Sequence, residues 1–266
     1  MSDAIIIFSK IPQAGHTMTR LMPTLTGKNC VLMHAALLYD LTLQLKMLCA
    51  KRPGINIHIY YTAQDEASFL KAFYRGLDEL QKLIYTEENQ LEETHISELK
   101  YFLEHNVHFH LQQGQDLGER LYNANKEVLA KSTKAITVGV DCPEIGIDDL
   151  CTALDLLDSK DMAIGASTDG GYYLIGLKKL SPTIFKNIIW STDSVYEKSI
   201  DNANKQDWTV AELPAYIDID HTEDIEKLLK EHADRLSTTA PKVLKYMKYL
   251  YDNMENKEQK NLEDVM

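Results

Sequence analysis

The order of apolar segments constrains this chain more than any other feature. Residues 4–8 (Ala-Ile-Ile-Ile-Phe) form a continuous apolar run, the pattern of a strand covered on both faces. Residues 28–50 then carry Val31, Ala35, Leu38, Leu41, Leu45 and Leu48 at helical spacing. Lys51-Arg-Pro-Gly54 makes a turn, and residues 55–62 alternate like a strand. Strand, helix and strand of these lengths predict a parallel sheet with crossover helices. Residues 65–105 read as helical and charged, as one interrupted helix or two. A strand over 107–112, a helix over 117–131 and a strand over 135–140 follow. A helix over 148–158 opens with Asp148 and Asp149, which suit its positive end. Two strands over 162–166 and 171–177 flank Ser167-Thr-Asp-Gly-Gly171. The expectation is an α/β protein, a three-layer α/β/α sandwich with a mostly parallel central sheet.

The last third is less regular. A helix over 222–232 is expected to be capped by Thr222, with acids in its first turn. A terminal helix over 241–254 begins at Pro241, and residues 255–266 are polar and expected to fray. With no internal repeat and no low-complexity linker, the expected division is one domain over 1–232 and a C-terminal helical extension over 233–266.

Charge narrows the partners. The 266 residues carry a formal net charge of −12, which argues against a nucleic-acid backbone or an anionic membrane. Nucleotides stay open, because a bound metal reverses the local field. The four cysteines (Cys30, Cys49, Cys142, Cys151) form no CxxC pair or regular framework, as in a reducing compartment. The first apolar run is too short for a signal peptide, and no stretch reads as long enough to span a membrane. A cytoplasmic protein is expected.

The chemistry concentrates at the ends of the strands. Asp141-Cys-Pro143 follows the strand over 135–140. A carboxylate at the C-terminal end of a parallel strand lies where open α/β sheets bind ligands. It suits a hard divalent cation or, equally, a turn cap. The loop Phe8–Leu21 follows the first strand and precedes a helix, the usual place for a phosphate-cradling turn. It contains neither a GxxxxGK[ST] nor a GxGxxG pattern. It offers Gly15 for close backbone approach and Lys10 and Arg20 as cations. Asp218 and Asp220 alternate on an extended segment and so share one face. They are metal candidates or the start of the helix behind them. Asp169-Gly-Gly171 reads as a turn whose glycines admit a substrate to the backbone, with Tyr172 beside them.

These motifs together resemble a known family. The first loop resembles Phe-x-Lys-x-Pro-x-x-Gly-x-x-Lys-Thr-Arg-Leu, which opens the DUF2064 proteins, also called the rSAM/selenodomain-associated transferase 1 family. Gln113–Arg120, Gly139–Pro143, Asp169–Leu177 and Asp218–Asp224 match further blocks in order, and Trp190-Ser-Thr192 a smaller one. The resemblance covers roughly residues 4–232. It implies a GT-A type fold of the nucleotide-diphospho-sugar transferase superfamily, and a nucleoside-diphosphate sugar or nucleotide as ligand with a small-molecule or glycan acceptor. It also implies Mg²⁺ or Mn²⁺ on Asp141 and Asp220. Lys10, Gly15 and Arg20 fall on the phosphates, and Gln113 and Gly114 beside the base. Asp169 falls beside the sugar or as a general base, with Gly170, Gly171, Tyr172 and Asp218 around the substrate. Glycosyl transfer is the first expectation, and nucleotidyl transfer with release of pyrophosphate the second. A non-catalytic nucleotide-binding module is a third. Met18 replaces the family's lysine and removes a cation that nucleotidyl transfer uses on its triphosphate. Lys28 is the candidate to compensate.

Overall fold

The computed structural model describes residues 2–84 and 91–263. Seven strands form one sheet: β1 (Ser2–Lys10), β2 (Asn56–Thr62), β3 (Val107–Leu111), β4 (Ser132–Gly139), β5 (Met162–Ser167), β6 (Tyr172–Leu177) and β7 (Val210–Tyr216). Their order is β3-β2-β1-β4-β6-β5-β7, and β6 runs antiparallel to both neighbours. The other pairings are parallel. Successive side chains of β1 serve opposite layers. Ile5 and Ile7 enter the larger core, and Ala4 and Ile6 the smaller one beneath α4 (Leu117–Leu129). The sheet is thus covered on both faces, as its continuous apolar strands require.

The larger layer is built around α1 (Gly27–Lys51), which packs against α2 (Glu66–Ile84), α3 (Leu91–Asn106), α5 (Ile147–Ser159), α8 (Ala233–Thr239) and α9 (Pro241–Glu263). So many neighbours leave α1 little polar face. By length and composition it is long and apolar enough to cross a membrane, which corrects the reading that no stretch is. Most of that stretch is buried within this fold. The charged region over 65–105 is two helices, with residues 85–90 outside the described part.

Four elements depart from the sequence reading. Strand β7 and helix α6 (Val195–Asn204) have no counterpart in the sequence reading, and β7 lies at the sheet edge with much of its surface open. Helix α7 (Thr222–Glu231) starts at Thr222 as expected, but its N-cap is His221 rather than Thr222. Asp224 there reaches back to accept from the amides of Asp220 and His221 at 3.0 and 2.6 Å. Helix α9 runs on to Glu263, beyond the expected end at 254, and residues 264–266 lie outside the described part. Val243, Leu244, Tyr246, Met247 and Leu250 of α9 join the main core.

Candidate active site

Because β6 is reversed, the C-terminal ends of β1, β4, β5 and β7 and the start of β6 meet along one edge. The chain leaves β1 on one side for β2 and β3 and returns on the other at β4, so a crevice opens between β1 and β4. A cavity of about 840 Å³ occupies this edge. Lys10, Arg20, Asp141, Asp169, Asp218 and Asp220 all line it, with Gly171 and Tyr172.

The acidic side is assembled by backbone. The Ile219 amide donates to the Asp141 carbonyl at 2.9 Å, and the Ile217 amide donates to Glu144 Oε2 at 2.8 Å. The segment after β7 is therefore laid against the turn after β4. Ile217 and Ile219 are buried on one side of it, which turns Asp218 and Asp220 to the cavity. Glu144, which follows the Asp-Cys-Pro motif, is 1% exposed and pairs with His232 at 2.8 Å. It is a strut and contributes no ligand atom to the cavity wall. The Gly139 position explains why Asp141 can fold back over its strand: a Cβ there would stand 2.6 Å from Asp141 Oδ1.

Asp169, Asp218 and Asp220 bring one carboxylate oxygen each within 4.8 Å of one another, a set that can hold a metal ion. The sequence reading paired Asp141 with Asp220 for this purpose. Asp141 lies next to the set without belonging to it, while Asp169, read as a sugar-side group or base, is a member. Asp169 is held by its own turn, its Oδ1 accepting from Ser167 Oγ at 2.6 Å and the Gly171 amide at 2.8 Å. Burial, and then the charges of Asp141, Asp169 and Asp220, push the Asp218 carboxyl up to about 8. The Asp141 carboxyl is open to the cavity but enclosed by protein around it, and this enclosure raises it, with Asp220 and Asp169 adding to the effect. The cations facing the cluster are few. Arg20 pairs closely with Asp220 and lies 3.9 Å from Asp169, and Lys10 lowers Asp141 slightly. The cluster carries more negative charge than these two cations offset. An all-oxygen, carboxylate-rich donor set of this kind fits Mg²⁺ or Mn²⁺.

Other expected residues stay outside the cavity wall. Gly15 forms an exposed left-handed turn at φ 81°. Gly114, at φ 144°, closes the turn before α4, where a Cβ would stand 2.7 Å from the Arg120 amide nitrogen. Gln113 is exposed, and Gln112 lines the cavity in its place, donating to the carbonyls of Ser9 and Tyr60 at 3.2 and 3.0 Å. Asp116 is the N-cap of α4, accepting from the Glu119 amide at 2.8 Å. Gly170 takes φ 90° against the backbone of Asp193, which a Cβ would approach to 2.2 Å, so its role is to dock α6. Lys28 pairs with Glu79 at 3.4 Å and does not line the cavity, so it does not replace the cation missing at Met18. Met18 itself lines the wall. The sequence reading missed His34, buried in α1 behind the first loop, and Arg120, one turn into α4. It gave Trp190 no role beyond a motif match. Trp190 packs over Gly118, where a Cβ would stand 3.0 Å from its Nε1. The blocks ending at Arg120 and at 190–192 carried two of these residues without a role, and nothing signalled His34.

The fold is that of nucleotide-diphospho-sugar transferases. A protein from Desulfovibrio desulfuricans G20 with the provisional description nucleotide-diphospho-sugar transferase is 25% identical to this chain. It aligns over 97% of this chain and 98% of its own length with a TM-score of 0.71. The chain belongs to the DUF2064 family, described as uncharacterized protein conserved in bacteria, whose model matches residues 45–192. A cytidylyltransferase from Leptospira borgpetersenii serovar Hardjo-bovis is 15% identical over 97% of this chain and 96% of its own, with a TM-score of 0.45. A CMP:2-keto-3-deoxy-manno-octonic acid synthetase solved with CTP is 10% identical over 86% and 97%, with a TM-score of 0.43. No curated protein matches the sequence.

Proposed function

We propose that this protein is a metal-dependent transferase that moves a sugar from a nucleoside-diphosphate sugar to a small-molecule or glycan acceptor. One observation carries the reading: a cavity at the strand ends whose surplus of carboxylates faces Lys10 and Arg20. The description of the Desulfovibrio protein points the same way.

Asp169, Asp218 and Asp220 would hold Mg²⁺ or Mn²⁺, with Asp141 adding negative charge beside them. When bound, the ion neutralises charge on the diphosphate leaving group. The chain's own residues do the rest. Lys10 and Arg20 approach the phosphate oxygens from the loop side, where fixed cations in a partly enclosed cavity stabilise the charge that develops on the departing diphosphate. Arg20, which pairs with Asp220, would be released toward the phosphate side if that carboxylate held an ion. Gln112, beside the end of β1, offers a wall position for the base, and Trp190 a flat apolar surface for a ring. The Asp169 turn, tied by Ser167 and Gly171, keeps its carboxylate fixed while substrate binds above the glycines.

The test is incubation of the purified protein with nucleoside-diphosphate sugars and, separately, nucleoside triphosphates with sugar phosphates, each with Mn²⁺ or EDTA. Metal-dependent release of nucleoside diphosphate is the expected result. Pyrophosphate from a triphosphate would establish the nucleotidyl-transfer alternative and overturn this one. Metal-dependent binding without turnover in either set would leave a binding module.

A further inference from the structure

His34 lies in the cavity wall and has no part in the chemistry above. It is 6% exposed in α1, and its ring bridges the end of β1 and the first loop. Nε2 lies 3.0 Å from Ser9 Oγ, and Nδ1 lies 2.7 Å from Thr17 Oγ1. Both hydroxyls are buried, at 2% and 1% exposure, so no solvent competes for them.

Proton counting gives these bonds a direction. Ser9 Oγ donates to the Lys10 carbonyl at 3.0 Å. A hydroxyl has one proton, so toward the ring Ser9 accepts, and Nε2 must carry hydrogen. A neutral imidazole has one N–H, so Nδ1 accepts, and its donor is the Thr17 hydroxyl. Burial, and then the Lys10 charge, push the ring's pKa down to about 4, so it stays neutral over the ordinary pH range. Among the described residues, the Thr17–His34 bond is also the one hydrogen bond that ties residues 12–18 to an element outside the loop Phe8–Leu21. The remaining bonds of that stretch, such as Gln13 amide to Ile11 carbonyl and His16 amide to Gln13 carbonyl, stay within the loop.

We propose that His34 is the positioning residue of the cation-bearing loop, closing as its Nε2–H tautomer a one-way chain from Thr17 through His34 and Ser9 to the Lys10 carbonyl. The chain sets the loop so that Arg20, beyond Thr17, faces the carboxylate cluster, while Lys10 is already placed by the pairing of β1 with β2. It determines where Arg20 stands before any ligand arrives. That the loop meets phosphate rests on the proposed function; the chain itself does not.

Three measurements on the full-length protein decide the matter. Long-range ¹H–¹⁵N correlation of the imidazole at neutral pH is expected to show Nε2 protonated and Nδ1 bare; the opposite tautomer overturns the proposal. Thr17→Val keeps the side-chain shape and removes only the first donor. Amide exchange over residues 12–20 should then rise about tenfold, the loss of one buried hydrogen bond, with α1 and β1 unchanged. Exchange equal to wild type overturns the proposal. His34→Gln, which keeps a donor and an acceptor, should retain most of the protection that His34→Leu loses; equal loss in both overturns it. If His34→Leu fails to fold, Thr17→Val and the tautomer still decide. Binding of Mn²⁺ with inorganic pyrophosphate, followed by calorimetry, should weaken about tenfold in Thr17→Val. Wild-type affinity in that variant overturns the positioning role. No binding by wild type removes the phosphate reading instead, and the tautomer and exchange results still judge the chain.

Discussion

The two sides of the cavity are built in opposite ways. On the acidic side, each segment is tied by a bond from a different element. Ile219 binds the Asp141 carbonyl, Ile217 binds Glu144, and Asp224 holds the amides of Asp220 and His221. Arg235 Nε donates to the Glu144 carbonyl at 2.9 Å, and Thr239 Oγ1 to the Pro143 carbonyl at 2.8 Å. On the basic side, among the described residues, residues 12–18 have one hydrogen bond to an element outside the loop, that between Thr17 and His34. Carboxylates crowded together repel one another and stay together only if backbone and struts hold them. The two cations stand apart, Lys10 at the end of β1 and Arg20 beyond Thr17, and face no such repulsion. The contrast separates an acid cluster held by many bonds from a cation loop set by one.

The largest effect should come from removing an acid. Asp218→Ala or Asp220→Ala is expected to lower metal-dependent turnover about 100-fold or more, with EDTA doing the same to wild type. A steady-state assay with Mn²⁺ titration checks this, and turnover within a few fold of wild type would remove the acid side from the chemistry. Next is the strut. Glu144→Ala leaves the buried Ile217 amide without its acceptor and should cost about 1–3 kcal/mol of stability, read by urea unfolding. Thr17→Val on the basic side should cost visibly less, and equal losses would erase the contrast.

The pH dependence follows from Asp218. Its carboxyl is raised to about 8 from the usual value of 3.8. The folded state therefore holds a proton that the unfolded state has released between these values, and stability falls as pH rises from about 4 to about 8. In EDTA, the melting temperature of wild type should drop across that window more steeply than that of Asp218→Asn, with no further divergence above about 8. Parallel curves would show that the cluster is not strained by its own charge. The smallest effect separates neighbours in one motif. Gln112→Ala should weaken nucleotide binding several fold through loss of its bonds to the Ser9 and Tyr60 carbonyls, while Gln113→Ala leaves it unchanged, by calorimetry with Mn²⁺ and the donor.

Much of this was legible from one dimension. Strands with continuous apolar runs and helices with clear spacing appear within a few residues of where they were read. Local sequence carries that signal wherever burial is strong. Strand β7, with Glu212, Pro214 and Ala215 open to solvent, had little burial to advertise it. Helix α1 lies within one residue of its expected bounds, but its span-like length and composition were missed, because burial against helices on several sides mimics a membrane span. In the site, Lys10, Arg20, Asp141, Asp169, Asp218 and Asp220 were named from their motifs, and all six line the cavity. Gly15, Gln113, Gly114 and Gly170 were named from the same motifs but do not line the cavity, and the three glycines take positive φ in turns. A glycine that admits a ligand and one that admits a neighbouring backbone look alike in sequence.

The sequence by itself determined the element order, the mostly parallel sheet and the identity of the charged groups at the strand ends, because periodicity and turn chemistry are local properties. Only the tertiary structure decided which carboxylates meet. Asp169 joins Asp218 and Asp220 because β5 pairs with β7 and β6 runs backward between β4 and β5. Asp141 stays beside them because its backbone, not its carboxylate, receives the incoming segment. Long-range pairing of that kind leaves no local periodicity, so spacing could not supply which carboxylates meet.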